Sequence, residues 1–174
     1  MGDLSETIKG GQDFLTKILS YIPGFNGYIK RSQRRAADKL LRDQVALRYT
    51  ELGKRLSGLK KDLVDAGQFD LLEELDSIGL KLTTFADRIK NASYGYSGFF
   101  DAVKINEKEL EKIYAFDAAF FELADQIGSG LENVAAGIGG DGLKSAIRAV
   151  DELALQAVQT YDKRYQILVT PSEA

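Results

Sequence analysis

The chain contains neither cysteine nor histidine. Without thiols there is no disulfide framework and no thiolate ligand or nucleophile. Without imidazole the usual zinc sites, His-ligated haem, Ser-His-Asp and Cys-His nucleophile systems and the Glu-x-x-His signature of di-iron bundles are excluded. A carboxylate-only enzyme remains possible, but no pair of carboxylates is spaced so as to point to it. The expectation is a protein that is not an enzyme, with no catalytic residue, no cofactor and no metal. Prolines number two, Pro23 and Pro171, and both fall where a helix is expected to end. No segment sustains the two-residue alternation of a half-buried strand.

What is present is a helical pattern on an ordinary globular composition. At 174 residues the chain is long enough for one domain with a sizeable core and short for two. An apolar share of 44% with 28% charged residues fits a soluble fold that leans toward long helices.

Residues 3–22 read as a short amphipathic helix with Leu4, Ile8, Phe14, Leu15, Ile18, Leu19 and Ile22 as its apolar positions. Asp3 and Glu6 supply a capping box, and Pro23 supplies the stop. Gly10 and Gly11 weaken the first turns, so the firm part begins near Gln12. Lys9, Asp13 and Lys17 leave it too charged, and its length too short, to span a bilayer. It also lacks the apolar run and cleavage motif of a secretory signal. The turn at Pro23-Gly24 is followed at once by Lys30, Arg31, Arg34 and Arg35, with Lys39 and Arg42 beyond. An apolar helix beside a basic cluster is also the pattern of a membrane-surface anchor.

Residues 28–66 carry apolar positions three and four apart through Ala37, Leu41, Val45, Tyr49, Leu52, Leu56, Leu59 and Leu63, which predicts the longest helix. Gly53 and Gly58 within it are expected to mark the close approach of a neighbour. Asp65-Ala66-Gly67 is a stop. Residues 69–90 repeat the pattern through Leu72, Leu75, Ile78, Leu82, Phe85 and Ile89, so the two segments read as an α-hairpin.

A second hairpin follows. Asn106 with Glu109 signals a helix start, and residues 107–136 carry Leu110, Ile113, Phe120, Ala124, Ile127, Leu131 and Val134, flanked by Tyr114, Phe116 and Phe121. Asp117 falls on this stripe. Either it turns to the edge, or it is buried as a polar lock on helix register, paired with an Arg, Lys or Tyr from another helix. Gly128 and Gly130 are expected to loosen the helix toward its end. Residues 137–142, Gly-Ile-Gly-Gly-Asp-Gly, match the glycine spacing of a dinucleotide site. They follow a helix and no βαβ unit surrounds them, so they are read as a loop with Asp141 as the next N-cap. The last helix, over 142–169, has the stripe Leu143, Ile147, Val150, Ala154, Ala157, Tyr161, Tyr165 and Leu168.

Between the hairpins lies the stretch 91–105. Tyr94, Tyr96, Phe99 and Phe100 alternate with Gly95 and Gly98, a composition too apolar for a solvated linker. It is read as a packed corner capping one end of the bundle, or as an aromatic patch for a partner.

The predicted fold is therefore all-α: an antiparallel four-helix bundle of two α-hairpins joined by an aromatic and glycine corner, preceded by a short amphipathic N-terminal helix. Residues 1–24 form that helix and its turn, and 25–170 form the bundle. Up-down connectivity puts the corner at the end opposite the two hairpin turns.

Charge is uneven along the chain, basic over 28–61 and acidic from Gly67 onward. Helix pairing can absorb this asymmetry, or it can mark an anionic partner. The expected function is a non-catalytic interaction or scaffold module, self-associating or binding another protein, in the cytoplasm. Its interaction face would be Phe14, Leu15, Ile18, Leu19 and Ile22. The alternative is a peripheral membrane protein on the inner face of a membrane, adsorbing through that helix and the basic cluster Lys30, Arg31, Arg34, Arg35, Lys39 and Arg42. Nucleic acid is disfavoured by the acidic balance.

Overall fold

The computed structural model describes residues 13–26, 34–92 and 107–169. They form five helices: α1 (Asp13–Tyr21), α2 (Arg34–Asp65), α3 (Leu72–Asn91), α4 (Glu107–Gly137) and α5 (Leu143–Val169). A single 3-10 turn, Phe69–Leu71, leads into α3. No strand occurs among the described residues. Helices α2 to α5 make a four-helix bundle, and α1 lies outside it against α4.

The first hairpin turn follows directly from its sequence. Gly67 adopts φ 72°, a backbone conformation that other residues resist. Its N–H donates to the Val64 carbonyl at 3.0 Å, while the Gln68 N–H reaches the Leu63 carbonyl at 2.9 Å. These two bonds are the Schellman pattern, and they satisfy carbonyls that the end of α2 would otherwise orphan. In the second turn Gly139 has φ 83°. Its N–H donates to Gln68 Oε1 at 3.4 Å, so the two turns lie together. The flanks of the 93–106 connection, the end of α3 and the start of α4, are at the opposite end, as up-down connectivity requires. The first carbonyl bond of α5, Ala146 N–H to Gly142 at 3.1 Å, makes Gly142 the N-cap, one residue later than the expected Asp141.

Successive helices alternate in direction, yet neighbours across the two hairpins are parallel. Helix α2 packs beside α3 and α4, and α5 beside α3 and α4. Arg48 pairs with Asp125 and Arg55 with Glu132, so numbers rise together along α2 and α4. Lys81 with Asp151 and Arg88 with Asp162 show the same for α3 and α5. Helices α3 and α4 therefore sit diagonally across the bundle, a detail no stripe on a single helix encodes.

The heptad stripes fill the core as expected. Leu41, Val45, Leu63, Leu75, Ile78, Leu82, Ile89, Ile127 and Val150 are all buried. Phe85 sits at the centre, tilted on Tyr49 at 4.1 Å and edge-on to Phe120 at 4.9 Å and Tyr161 at 6.2 Å. The Tyr49 hydroxyl, buried with its ring, donates to the Phe120 carbonyl at 3.0 Å, and burial raises its pKa.

Three expectations change. Gly53 and Gly58 face open space and mark no close approach. Gly128 and Gly130 do not loosen α4, which continues to Gly137. They are the close approaches instead: a Cβ at Gly130 would meet Val150 Cγ2 at 2.7 Å, and one at Gly128 would meet Arg55 Nη1 at 3.3 Å. Tyr165 is off the core stripe at 46% exposure, and Arg164 takes its place, fully buried.

Candidate functional site

Two features stand out from the apolar packing. The first is a chain of four buried charges at the end of the bundle away from the turns. Asp38 and Arg42 come from the first turns of α2, Asp117 from α4 and Arg164 from α5, and all four are at most 3% exposed. Arg164 forks onto Asp117, with Nε on Oδ1 at 3.0 Å and Nη2 on Oδ2 at 3.3 Å. The same Nη2 donates to Asp38 Oδ1 at 3.3 Å. Arg42 Nε donates to Asp38 Oδ2 at 2.8 Å. The order Arg42, Asp38, Arg164, Asp117 alternates in sign and sums to zero.

Helix α3 joins through its backbone. Arg42 Nη1 donates to the carbonyls of Ile89 at 3.4 Å and Lys90 at 3.3 Å, and the Tyr161 hydroxyl donates to Arg88 at 3.3 Å. These carbonyls belong to the last turn of α3, where no intrahelical partner remains and a cation meets the negative end of the helix dipole. One network therefore ties all four bundle helices at one level.

Asp117 answers the alternative that its position left open: it is buried and paired with an Arg from another helix, not turned to the edge. Burial pushes its pKa up to about 6, Arg164 pulls it back, and the neighbouring Asp38 carboxylate raises it again. Arg42 is correspondingly no part of a surface basic cluster, because its guanidinium is inside. Of the other cluster residues, Lys39 is exposed, Arg34 and Arg35 open α2, and Lys30 and Arg31 lie outside the described residues. Elsewhere along α2, Arg48, Arg55 and Lys60 pair with Asp125, Glu132 and Asp76 of the acidic helices. Helix pairing absorbs part of the charge asymmetry seen in the sequence.

The second feature is the seat of α1. Ile18, Ile22 and Phe25 are buried and Leu19 is partly so. Phe14 and Leu15 lie on the described helix. Tyr21 stacks on Phe121 with centroids 4.7 Å apart, and Phe25 meets Tyr114 edge-on at 5.8 Å. At the rim the Tyr21 hydroxyl donates to Asp125 at 2.5 Å, Arg48 covers the Tyr21 ring, and Lys17 pairs with Glu122. Burial, then the bond to Asp125, pushes the Tyr21 pKa up to about 12. Along its seat on α4, α1 places Lys17 by Glu122 and Tyr21 by Phe121 and Asp125, and Phe25 beyond it by Tyr114. Where it ends, a polar groove continues along the seam of α2 and α4 between Arg48, Arg55, Asp125 and Glu132, floored by Leu52, Ala124 and Gly128.

The aromatic corner residues Tyr94, Tyr96, Phe99 and Phe100 lie outside the described residues. Among those described, no group of carboxylates is placed to hold a metal ion, and no helix is long and apolar enough to cross a membrane. No family model, curated protein or solved structure matches this chain.

Sequence reading missed Arg164, Asp38 and Arg42 as core residues. A signal existed for Arg164. The α5 stripe steps 143, 147, 150, 154, 157, 161, alternating four and three, and the next step of three lands on 164. Tyr165, one residue on, was the chemically conventional choice.

Proposed function

We propose that the chain is a non-catalytic helical interaction module that works by self-association or by binding another protein. What favours this over membrane adsorption is the burial of Ile18, Ile22 and Phe25 against the chain's own α4, which also takes Ile18 and Ile22 out of the face expected to meet a partner. Membrane adsorption through that helix would need the same side chains, and withdrawing them would bare Phe121 and Tyr114 to water. The inward position of Arg42 weakens the electrostatic half of a membrane anchor as well. The four buried charges pair with one another, which supports reading the network as a holding device.

Two measurements on the full chain test this. Sedimentation equilibrium over a concentration series should show mass above that of the monomer, or a binding partner should be recovered with a defined stoichiometry. Flotation with anionic vesicles should show no binding at low or high salt. Flotation that is strong at low salt and lost at high salt would replace this reading with the membrane one.

A further inference from the structure

We propose that the charges at the edges of the core, and not the apolar stripes, select which helices become neighbours. The selection works by refusing competing bundles as much as by favouring the one seen.

Four ion pairs at the rim join the two hairpins among the described residues. Arg48 meets Asp125 at 3.7 Å and Arg55 meets Glu132 at 3.4 Å between α2 and α4. Lys81 meets Asp151 and Arg88 meets Asp162, each at 2.6 Å, between α3 and α5. In every one the cation belongs to the first hairpin and the carboxylate to the second. The spacing is helical: 48 and 55, 81 and 88, and 125 and 132 are each about two turns apart, and 151 and 162 about three. Each helix therefore carries its two partners along one flank of its apolar stripe.

The competing bundle exchanges α4 and α5, which puts α3 beside α4 and makes every neighbour antiparallel, the usual up-down arrangement. The apolar stripes permit it, since each still faces the centre. The flank of α4 now on α2 would turn to α5, and the flank of α5 now on α3 would turn to α4. Asp125, Glu132, Asp151 and Asp162 would then share one seam, with Lys144 and Arg148 near the turns as the cations on that flank of α5. Arg48, Arg55, Lys81 and Arg88 would all lose their carboxylates. A mirror-image bundle fares no better, because it turns the cationic flank of α2 onto that of α3. In the hairpin register set by Lys60 against Asp76, Arg48 falls opposite Arg88 and Arg55 opposite Lys81. An exposed pair is weak by itself, but the choice rests on the difference between four attractions and the repulsions that replace them.

The absence of cysteine makes the test clean. Glu51→Cys with Ser129→Cys places a reporter pair across the groove between α2 and α4. A short bis-maleimide closes it within one chain when those flanks face each other, and in neither competing bundle do they. In this background Arg48→Gln, Arg55→Gln, Asp151→Asn and Asp162→Asn take one partner from every pair without setting like charges together. After refolding, the helical circular dichroism should be kept and the cross-linked fraction should roughly halve, as for two arrangements of equal stability. Arg48→Glu, Arg55→Glu, Asp151→Lys and Asp162→Lys leave the net charge unchanged and set like against like in all four pairs, and the cross-link should be lost. Adding Lys81→Glu, Arg88→Glu, Asp125→Lys and Glu132→Lys inverts every pair and should restore it. A neutralised variant that folds and cross-links as fully as the parent overturns the proposal, and leaves close contacts such as Gly130 on Val150 to choose the neighbours. Failure of the fully inverted variant to regain the cross-link overturns it as well.

Discussion

Replacing Arg164 with methionine should be among the most damaging single changes available in this protein. The substitution keeps the length of the side chain and removes the guanidinium that forks onto Asp117 and reaches Asp38. Asp38 retains Arg42. Asp117 loses both of its bonds to Arg164 at a site with no exposure. Breaking a buried pair from one side costs about 3–5 kcal/mol. For a domain of this size each kcal/mol is roughly 2–4 °C in Tm, so a fall of about 6–20 °C is expected. The deficit should also depend on pH. The Asp117 carboxyl stands at about 6 against an ordinary value of 3.8, raised by burial and held down by Arg164. Without Arg164 it rises further. A carboxyl whose folded pKa exceeds its unfolded one contributes most below the unfolded value, and that contribution is lost as pH climbs through the folded value. Arg164→Met should therefore lag the parent protein less at pH 5 than at pH 8. Urea denaturation followed by circular dichroism at the two pH values measures both quantities. The double change Asp117→Leu with Arg164→Met removes both partners of the fork, and it should recover much of the loss. A deficit below about 1 kcal/mol, or one equal at both pH values, would refute the account of these charges as a buried network.

Other changes probe the packing. Gly130→Ala gains helix propensity but drives its Cβ against Val150. It should lose about 1–3 kcal/mol net in the same denaturation assay. Gly53→Ala and Gly58→Ala meet nothing, and each should gain about 0.5–1 kcal/mol and raise Tm. Gly67→Ala forces a side chain into the left-handed turn that ends α2, and it should cost about 1–2 kcal/mol by chemical denaturation. Tyr49→Phe removes a hydroxyl whose acceptor lies within α4, and it should cost about 1 kcal/mol with no change in helix content by circular dichroism.

Much of this architecture is legible in residue order. The bounds of α4 and α5 fall within a residue of those read from capping and stripe spacing, because period and turn chemistry act locally. Gly67 stops α2 for a reason visible in one residue and its two neighbours. The errors have a common cause. Gly53 and Gly58 looked like contacts, and Gly128 and Gly130 looked like weakness. A glycine reports only that a Cβ is absent, and what stands opposite belongs to another helix.

The sequence alone determined that the chain is helical, that two hairpins pair into one bundle, and which apolar face of most helices turns inward. Local spacing carries that information, and hydrophobic burial enforces it. Only the tertiary structure decided that α2 lies beside α4 and α3 beside α5, because the four apolar stripes are chemically alike and none names its neighbour. It also decided that Arg164 belongs in the core. A buried guanidinium is tolerable only with carboxylates around it, and those carboxylates, Asp117 and Asp38, arrive from 47 and 126 residues away.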